Sequence, residues 1–223
     1  NGTAYRTYVG GVVGFNGEGG HSFTNITSNI NVKGSTCDVG GLFGIAHYGN
    51  QFVNCVCTGN VEIYAAEEAA EAQEIGGIAG VWNNGGENVV MTDCSFTGNL
   101  TTNIEGVEFY NGGLVGKPYS ATGNGKLIID GSVYVASAAE LQAAVTAATG
   151  EMLIKLGTDI EGNVTVIQKQ GVKITIDGQN HKYNGSIKVH SNSNHYADAA
   201  LTIKKVNFES SIASTNFIEA LEN

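Results

Sequence analysis

Four cysteines, five histidines and 21 acids are the side chains of this 223-residue chain with the chemistry to hold a metal, attack a bond or move a proton. Their spacing organises few of them. Cys37, Cys55, Cys57 and Cys94 lack the paired C-x-x-C spacing of a zinc site. Cys55 and Cys57 face the same side of a strand, and Cys55 and Cys94 fall at equivalent positions of a repeat, so reduced thiols stacked in a core are favoured over a disulfide or a metal site. His190 and His195 flank a polar loop and can approach each other; among Asn and Ser they are read as solvated. Glycoside hydrolysis needs two facing carboxylates, and Asp130, Asp159, Asp177 and Asp198 are too scattered for the sequence to pair them. The acids of Ala65-Ala66-Glu67-Glu68-Ala69-Ala70-Glu71-Ala72-Gln73-Glu74 lack the spacing of a calcium loop and read as solvated charge on a short surface excursion. No catalytic, cofactor-binding or metal-binding residue is assigned, no cofactor is expected, and the chain is not expected to be an enzyme. Binding chemistry is better represented. Tyr48, Tyr110, Tyr119, Tyr183 and Tyr196 fall in or beside loops, where aromatic faces stack on sugars or pack on proteins.

Charge narrows the partners. The formal net charge is −10, charged residues make up 14% of the chain, and Arg6 is its one arginine. Phosphate recognition needs clustered cations, so nucleic acid is excluded as a partner and anionic membranes and polyanionic substrates are disfavoured. The longest apolar runs are too short to cross a bilayer, so no membrane insertion is expected. No signal peptide is visible, and the chain reads as a mature or excerpted segment of a longer protein.

The elements that would position these residues are announced by a glycine doublet with an apolar tail. It occurs as Val9-Gly10-Gly11-Val12-Val13-Gly14, Val39-Gly40-Gly41-Leu42-Phe43-Gly44, Ile75-Gly76-Gly77-Ile78-Ala79-Gly80 and Asn111-Gly112-Gly113-Leu114-Val115-Gly116. The spacings of 30, 36 and 36 residues (10 to 40, 40 to 76, 76 to 112) are those of stacked repeats. A second signature follows the doublets: Phe52-Val53-Asn54-Cys55-Val56-Cys57-Thr58-Gly59-Asn60-Val61, Met91-Thr92-Asp93-Cys94-Ser95-Phe96-Thr97-Gly98-Asn99-Leu100, and a weaker copy from Phe23 to Ile30. Its apolar residues alternate as in a half-buried strand. The Thr-Gly-Asn reads as a turn, because Gly and Asn tolerate positive φ. Each repeat is therefore expected to be a Gly-rich strand, a polar loop, a second strand and a turn. Stacked about 4.8 Å apart, Asn25, Asn54 and Asp93 would form a ladder at one corner, satisfying turn backbone groups. The doublets are read as permitting close packing between layers, since a Gly-x-x-Gly without Lys or a following helix is weak for nucleotide binding.

These residues resemble the GLUG motif, named for a Gly-Leu-hydrophobic-Gly core. Gly41-Leu42-Phe43-Gly44 and Gly113-Leu114-Val115-Gly116 match that core, while the other copies carry Val12 and Ile78 in place of Leu. The resemblance covers roughly residues 9–116. It implies a large bacterial surface or secreted protein of adhesin-like type, and it brings no catalytic residues.

The rhythm changes after Lys117-Pro118. Ser137-Ala138-Ala139-Glu140 is a capping box, Leu141, Ala144, Val145 and Ala148 recur at helical spacing, and Gly150 supplies a stop, so one short amphipathic helix is expected over 138–149. Strands are expected at 152–156, 164–167, 172–176, 186–189 and 201–206. This order, with Ile176-Asp177-Gly178-Gln179-Asn180-His181, resembles the opening of pectin-lyase-like right-handed β-helix proteins, in which a helix caps the first coil. That resemblance covers about 133–210. The lyases of that fold use Arg or Lys bases and its hydrolases use close Asp pairs; neither set has a match here to carry over.

The expected architecture is thus all-β, a repetitive β-solenoid or right-handed β-helix with a capping helix, in two domains: 1–130, the Gly-rich repeats, and 131–223, the β-helix-like segment. The expected function is a non-catalytic, adhesin-like binding or display module, outside the cell or on the bacterial surface. Its partners would be host or bacterial surface glycans or proteins, met as a monomer within a longer chain. The alternatives are a carbohydrate-binding module, or a non-catalytic part of a larger polysaccharide-degrading enzyme.

Overall fold

The computed structural model describes residues 7–35, 38–64, 74–83, 85–103, 109–110, 113–117, 125–191, 198–209 and 218–222. Arg6, Cys37, residues 65–73, the Asn111-Gly112 pair, Tyr119, His195 and Tyr196 lie outside them. The described residues are mostly β-strand, with one helix, so the protein is of the all-β class. The chain divides into two compact units, Asn1–Asp130 and Gly131–Asn223.

In the first unit the doublet does what its alignment predicts. The Tyr8–Gly10 strand pairs in parallel with Asp38–Gly40, which pairs with Ile75–Gly76, so that Gly10 stands opposite Gly40 and Gly40 opposite Gly76. Four further strands follow in the second repeat: Phe43–Ala46, Gln51–Val53, Val56–Cys57 and Val61–Tyr64. Each is in parallel register with its counterpart in the third repeat. Phe23, Phe52, Met91 and Ile129 make one such row across the repeats. The strand Phe109–Tyr110 departs from this pattern, lying antiparallel to Val115–Gly116.

Alternation explains most of these strands. Val61–Tyr64 buries Val61 and Ile63 and turns Glu62 and Tyr64 outward, and Val89–Thr92 does the same with Val89 and Met91. The Gly-rich strands behave differently. Asp38–Gly40, Phe43–Ala46 and Ala79–Trp82 are buried at every residue, as parallel strands covered on both faces are. Glycine is needed at Gly40 because a Cβ there would fall onto the Phe43 carbonyl oxygen and within 2.6 Å of the Gly80 nitrogen.

The structure corrects the expected turn. Thr58-Gly59-Asn60 and its copy do not end the repeat; a further strand follows, Val61–Tyr64 in one repeat and Leu100–Thr102 in the next. Left-handed backbone falls instead one corner earlier, on Asn25, Asn54, Asp93 and Asp130, with φ of 57°, 51°, 53° and 47°. Asn and Asp carry that conformation more readily than other non-glycine residues. Gly59 and Gly98 serve close approach: a Cβ on Gly98 would strike the Gly59 carbonyl, and one on Gly59 the Ile30 carbonyl.

The second unit opens on the Ser132–Val135 strand and the helix Ala138–Ala147. Ser137 Oγ accepts the Glu140 N–H at 3.1 Å, and Glu140 reaches back to the Ala136 N–H at 2.8 Å, so the box caps one residue further out than its usual reciprocal form. Leu141, Ala144 and Val145 are the buried face. Three sets of parallel strands follow, with Ile154, Ile176 and Ile203 in one row, Ile160 beside Tyr183 and Tyr183 beside Phe208 in another, and Val164 beside Ile187 in the third. Ion pairs fall between residues directly opposite in register, Lys173 with Glu151 at 3.0 Å and Lys204 with Asp177 at 3.2 Å. The exposed Lys173–Glu151 pair adds little stability, but like charges at either place would disfavour the register.

The helix has a second task. Val164–Ile167 lies at the edge of its sheet, and such an edge is a template for unwanted pairing. Gln142 covers it: the side-chain amide donates to the Thr165 carbonyl at 2.9 Å and accepts the Thr165 N–H at 2.7 Å. One side chain thus stands in for the missing neighbour strand at that residue.

Candidate functional site

The corner column forms two linked pairs, Asn25 with Asn54 and Asp93 with Asp130, and is used structurally. Asn54 Nδ2 donates to Asn25 Oδ1 at 2.8 Å, and the Asp93 N–H donates to Asp130 Oδ1 at 2.9 Å. Asp130 is a rung that the sequence did not offer, because no Cys or Thr-Gly-Asn follows it. Two further ladders use the same device. Asn31 Oδ1 accepts the Asn60 N–H and Asn60 Oδ1 the Asn99 N–H, while Asn50 and Asn88 cap the N–H groups of His21 and Lys126. In each, a side-chain carbonyl supplies an acceptor to the backbone of the neighbouring repeat.

Asp159 and Asp177, also weighed for hydrolysis, are likewise engaged. Asp159 accepts the Lys182 N–H at 2.8 Å and faces His181 Nδ1 at 3.3 Å. Asp177 is buried, which alone would raise its carboxyl; the Gln179 N–H and Lys204 outweigh this and hold it below the ordinary carboxylate range. His190 lies in the Ile187–Ser191 strand opposite Ile167. Its expected neighbour His195 is outside the described residues, as are Tyr119 and Tyr196 and the side chain of Tyr110. Among the described residues no group of three or more His, Cys, Asp or Glu is placed to hold a metal ion, and no helix is long and apolar enough to cross a membrane.

Tyr183 is a correction. Read as a loop residue available for binding, it is fully buried in the Lys182–Asn184 strand, its ring 5.7 Å from that of Phe208. Lys182 and Asn184 point outward, which leaves Tyr183 the inward position. Its hydroxyl is buried without a hydrogen-bond partner, and burial pushes its pKa up to about 12. The folded state therefore keeps this proton after the unfolded chain, titrating near pH 10, has released it. Stability is expected to fall by up to about 3 kcal/mol between roughly pH 10 and pH 12. Urea unfolding across that range checks it: Tyr183→Phe should remove this part of the alkaline loss while holding its stability at pH 7, because it deletes an unsatisfied buried hydroxyl.

Tyr48 leads to the best-formed candidate site. It sits in the turn after Phe43–Ala46, where its ring packs on His47 at 4.5 Å. His47 in turn meets the edge of Phe15 at 6.0 Å, and Phe15 stacks on Tyr8 at 5.4 Å with planes 19° apart. Phe15 is 53% exposed and His47 is 8% exposed, so the cluster runs from the core to the surface. His47 Nε2 lies 3.4 Å from Asn83 Nδ2. Burial lowers the His47 pKa from its ordinary value and His21 adds to this, against an opposing pull from Glu18. The imidazole is therefore neutral at pH 7, with one donor and one acceptor.

Unsatisfied polar atoms gather in the same loops and at the end of the Ala79–Trp82 strand beside them. His47 Nδ1, Asn50 Nδ2, Trp82 Nε1 and both amide atoms of Asn16 are buried without a hydrogen-bond partner. Buried polar groups are normally paired, so such a concentration calls for an explanation. An exposed aromatic face thus lies over amide and imidazole groups that are covered here, an apolar platform with polar groups beneath it. Sequence reading found Tyr48 alone. Written down the aligned repeats, Phe15-Asn16, Ile45-Ala46-His47 and Val81-Trp82-Asn83 follow the third glycine of each doublet, and that column was the signal available.

No family model matches the chain, and no match to it is found among curated proteins or solved structures.

Proposed function

We propose that this chain is a non-catalytic binding and display module, adhesin-like in character, of a bacterial surface or secreted protein, and that its ligand is a glycan held at the Phe15–His47–Tyr48 loop cluster. The observation that carries this reading is the coincidence of a half-exposed Phe15 ring with orphaned polar atoms in and beside the same loops. A sugar ring presents one apolar face to an aromatic and hydroxyls around its rim to amides and imidazole, and both kinds of partner are gathered here. Architecturally, we read the strand rows as successive coils of a β-solenoid, with the helix Ala138–Ala147 capping the first coil of the second unit. Parallel register between equivalent residues of successive repeats supports that reading. So does the resemblance to the GLUG and pectin-lyase-like patterns. A repeat scaffold suits display, because its loops vary while its core is kept.

Glycan-array screening followed by calorimetry on the best glycan tests the proposal. Phe15→Ala is expected to weaken binding about tenfold, the loss of one aromatic stacking contact, with the melting temperature held because Phe15 is half exposed. The reading fails if no glycan binds, or if Phe15→Ala and His47→Ala both bind as the wild type does. Release of new reducing ends from the bound glycan would overturn its non-catalytic part.

A further inference from the structure

The parallel register of the Val56–Cys57 and Ser95–Phe96 strands places Val56 opposite Ser95. Cys55 and Cys94 immediately precede that pair, and the Ser95 N–H donates to the Cys55 carbonyl at 3.0 Å. Neighbouring strands lie about 4.8 Å apart, which is within the Cα separations that disulfides span, about 4.4–6.8 Å. The two sulfurs also occupy the same surroundings one repeat apart. Cys55 Sγ lies 3.5 Å from the Phe23 carbonyl and 3.7 Å from that of Val53; Cys94 Sγ lies 3.6 Å from the Phe52 carbonyl and 3.5 Å from that of Thr92. Their side chains therefore point the same way. Neither cysteine lies within a strand; the Cys55 carbonyl accepts the first bond of the pairing, from the Ser95 N–H.

We propose that Cys55 and Cys94 are a cross-linking pair, joined by a disulfide between the second and third repeats when the protein meets a low-molecular-weight disulfide of the oxidised glutathione type. Both are free thiols here, Cys55 buried and Cys94 half-buried, so the reagent reaches Cys94. The pair is poised for exchange. The interaction of the two neighbouring thiols lowers that of Cys55 to about 7 and raises that of Cys94. One proton is lost from the pair, and transfer of the other from Cys94 to Cys55 puts the thiolate on the accessible sulfur. That thiolate attacks the reagent disulfide, forming a mixed disulfide and expelling one reagent thiolate. Cys55, giving up its proton, then attacks the Cys94 sulfur and expels the second reagent thiolate. The two cysteines lose two electrons and two protons, and the reagent disulfide is reduced to two thiols. Cys57 is a poorer partner. Burial raises its thiol, and its sulfur contacts the Gly59 carbonyl at 3.8 Å and sits against Gly41.

The test is incubation of the whole chain with oxidised glutathione at pH 8, denaturing alkylation and non-reducing peptide mapping. The expected result is a Cys55–Cys94 cross-linked peptide and the loss of two alkylatable thiols. Closing a loop of this length should raise the melting temperature by about 8 °C, reversibly with dithiothreitol. Cys94→Ser should abolish the cross-link, and a Cys37→Ser, Cys57→Ser double variant should retain it. The proposal is overturned if all four cysteines stay alkylatable, or if the recovered cross-link joins any other pair.

Discussion

Gly40→Ala is expected to cost at least about 3 kcal/mol of stability, the upper part of the range for overpacking a filled core. Small domains hold only about 5–15 kcal/mol in total. The added methyl would meet backbone on two sides, the Phe43 carbonyl and the Gly80 nitrogen. A flexible side chain could swing aside; these groups cannot, because they belong to the repeat's own paired backbone. The Phe43 N–H donates to Ile78 at 2.8 Å and the Gly41 N–H to Gly76 at 3.1 Å, so relief by backbone movement loosens the second repeat from the third. Gly86 supplies the contrast. Nothing lies within 4 Å of a Cβ there, and its backbone is not left-handed, so Gly86→Ala should change stability by less than about 0.5 kcal/mol. Urea unfolding of both variants decides the matter. Equal midpoints would mean that the doublet is not a close-approach device.

Phe52→Ala comes next, with an expected loss of about 4 kcal/mol. Phe52 is fully buried, stacks on Phe23 at 5.2 Å with planes 17° apart and meets Phe43 edge-on at 4.9 Å. Its removal takes away transfer free energy, two ring contacts and the filling between the first and third repeats, where Phe23 and Met91 stand in register with it. Phe23→Ala is the internal comparison. Phe23 belongs to the outermost repeat and is only half-buried, so truncating it should cost clearly less. Thermal or denaturant unfolding in which the two variants fall together would show that stacking between repeats does not set the core.

Features that repeat or alternate were legible in the sequence. Aligning the doublets gave the register of Gly10, Gly40 and Gly76, and comparing the Asn-Cys segments gave the corner rungs Asn25, Asn54 and Asp93. The capping box located the helix start at Ser137. What stayed hidden was short or non-local. The Lys182–Asn184 strand has three residues, too few to show a period, so Tyr183 looked like a loop tyrosine. The strand after Thr58-Gly59-Asn60 was missed because Gly and Asn were credited with a turn, when the need at Gly59 is for space. Gln142 on an exposed helical turn carries no mark of the strand edge it covers. The Tyr8–Phe15–His47–Tyr48 cluster joins two loops some 30 residues apart, and only stacking the repeats in register brings them together.

The polar ladders have a consequence for how the first unit comes apart. Each Asn or Asp rung bonds only to the repeat beside it, so losing one repeat removes a single set of bonds and leaves the others intact. Val12, Phe15 and Ile30 of the first repeat are about half exposed, where Leu42 and Phe43 of the second are fully covered. In this chain, hydrogen exchange is expected to show lower protection at residues 7–35 than across the second and third repeats. The Asn25–Asn54 bond is the latch between the first repeat and the second.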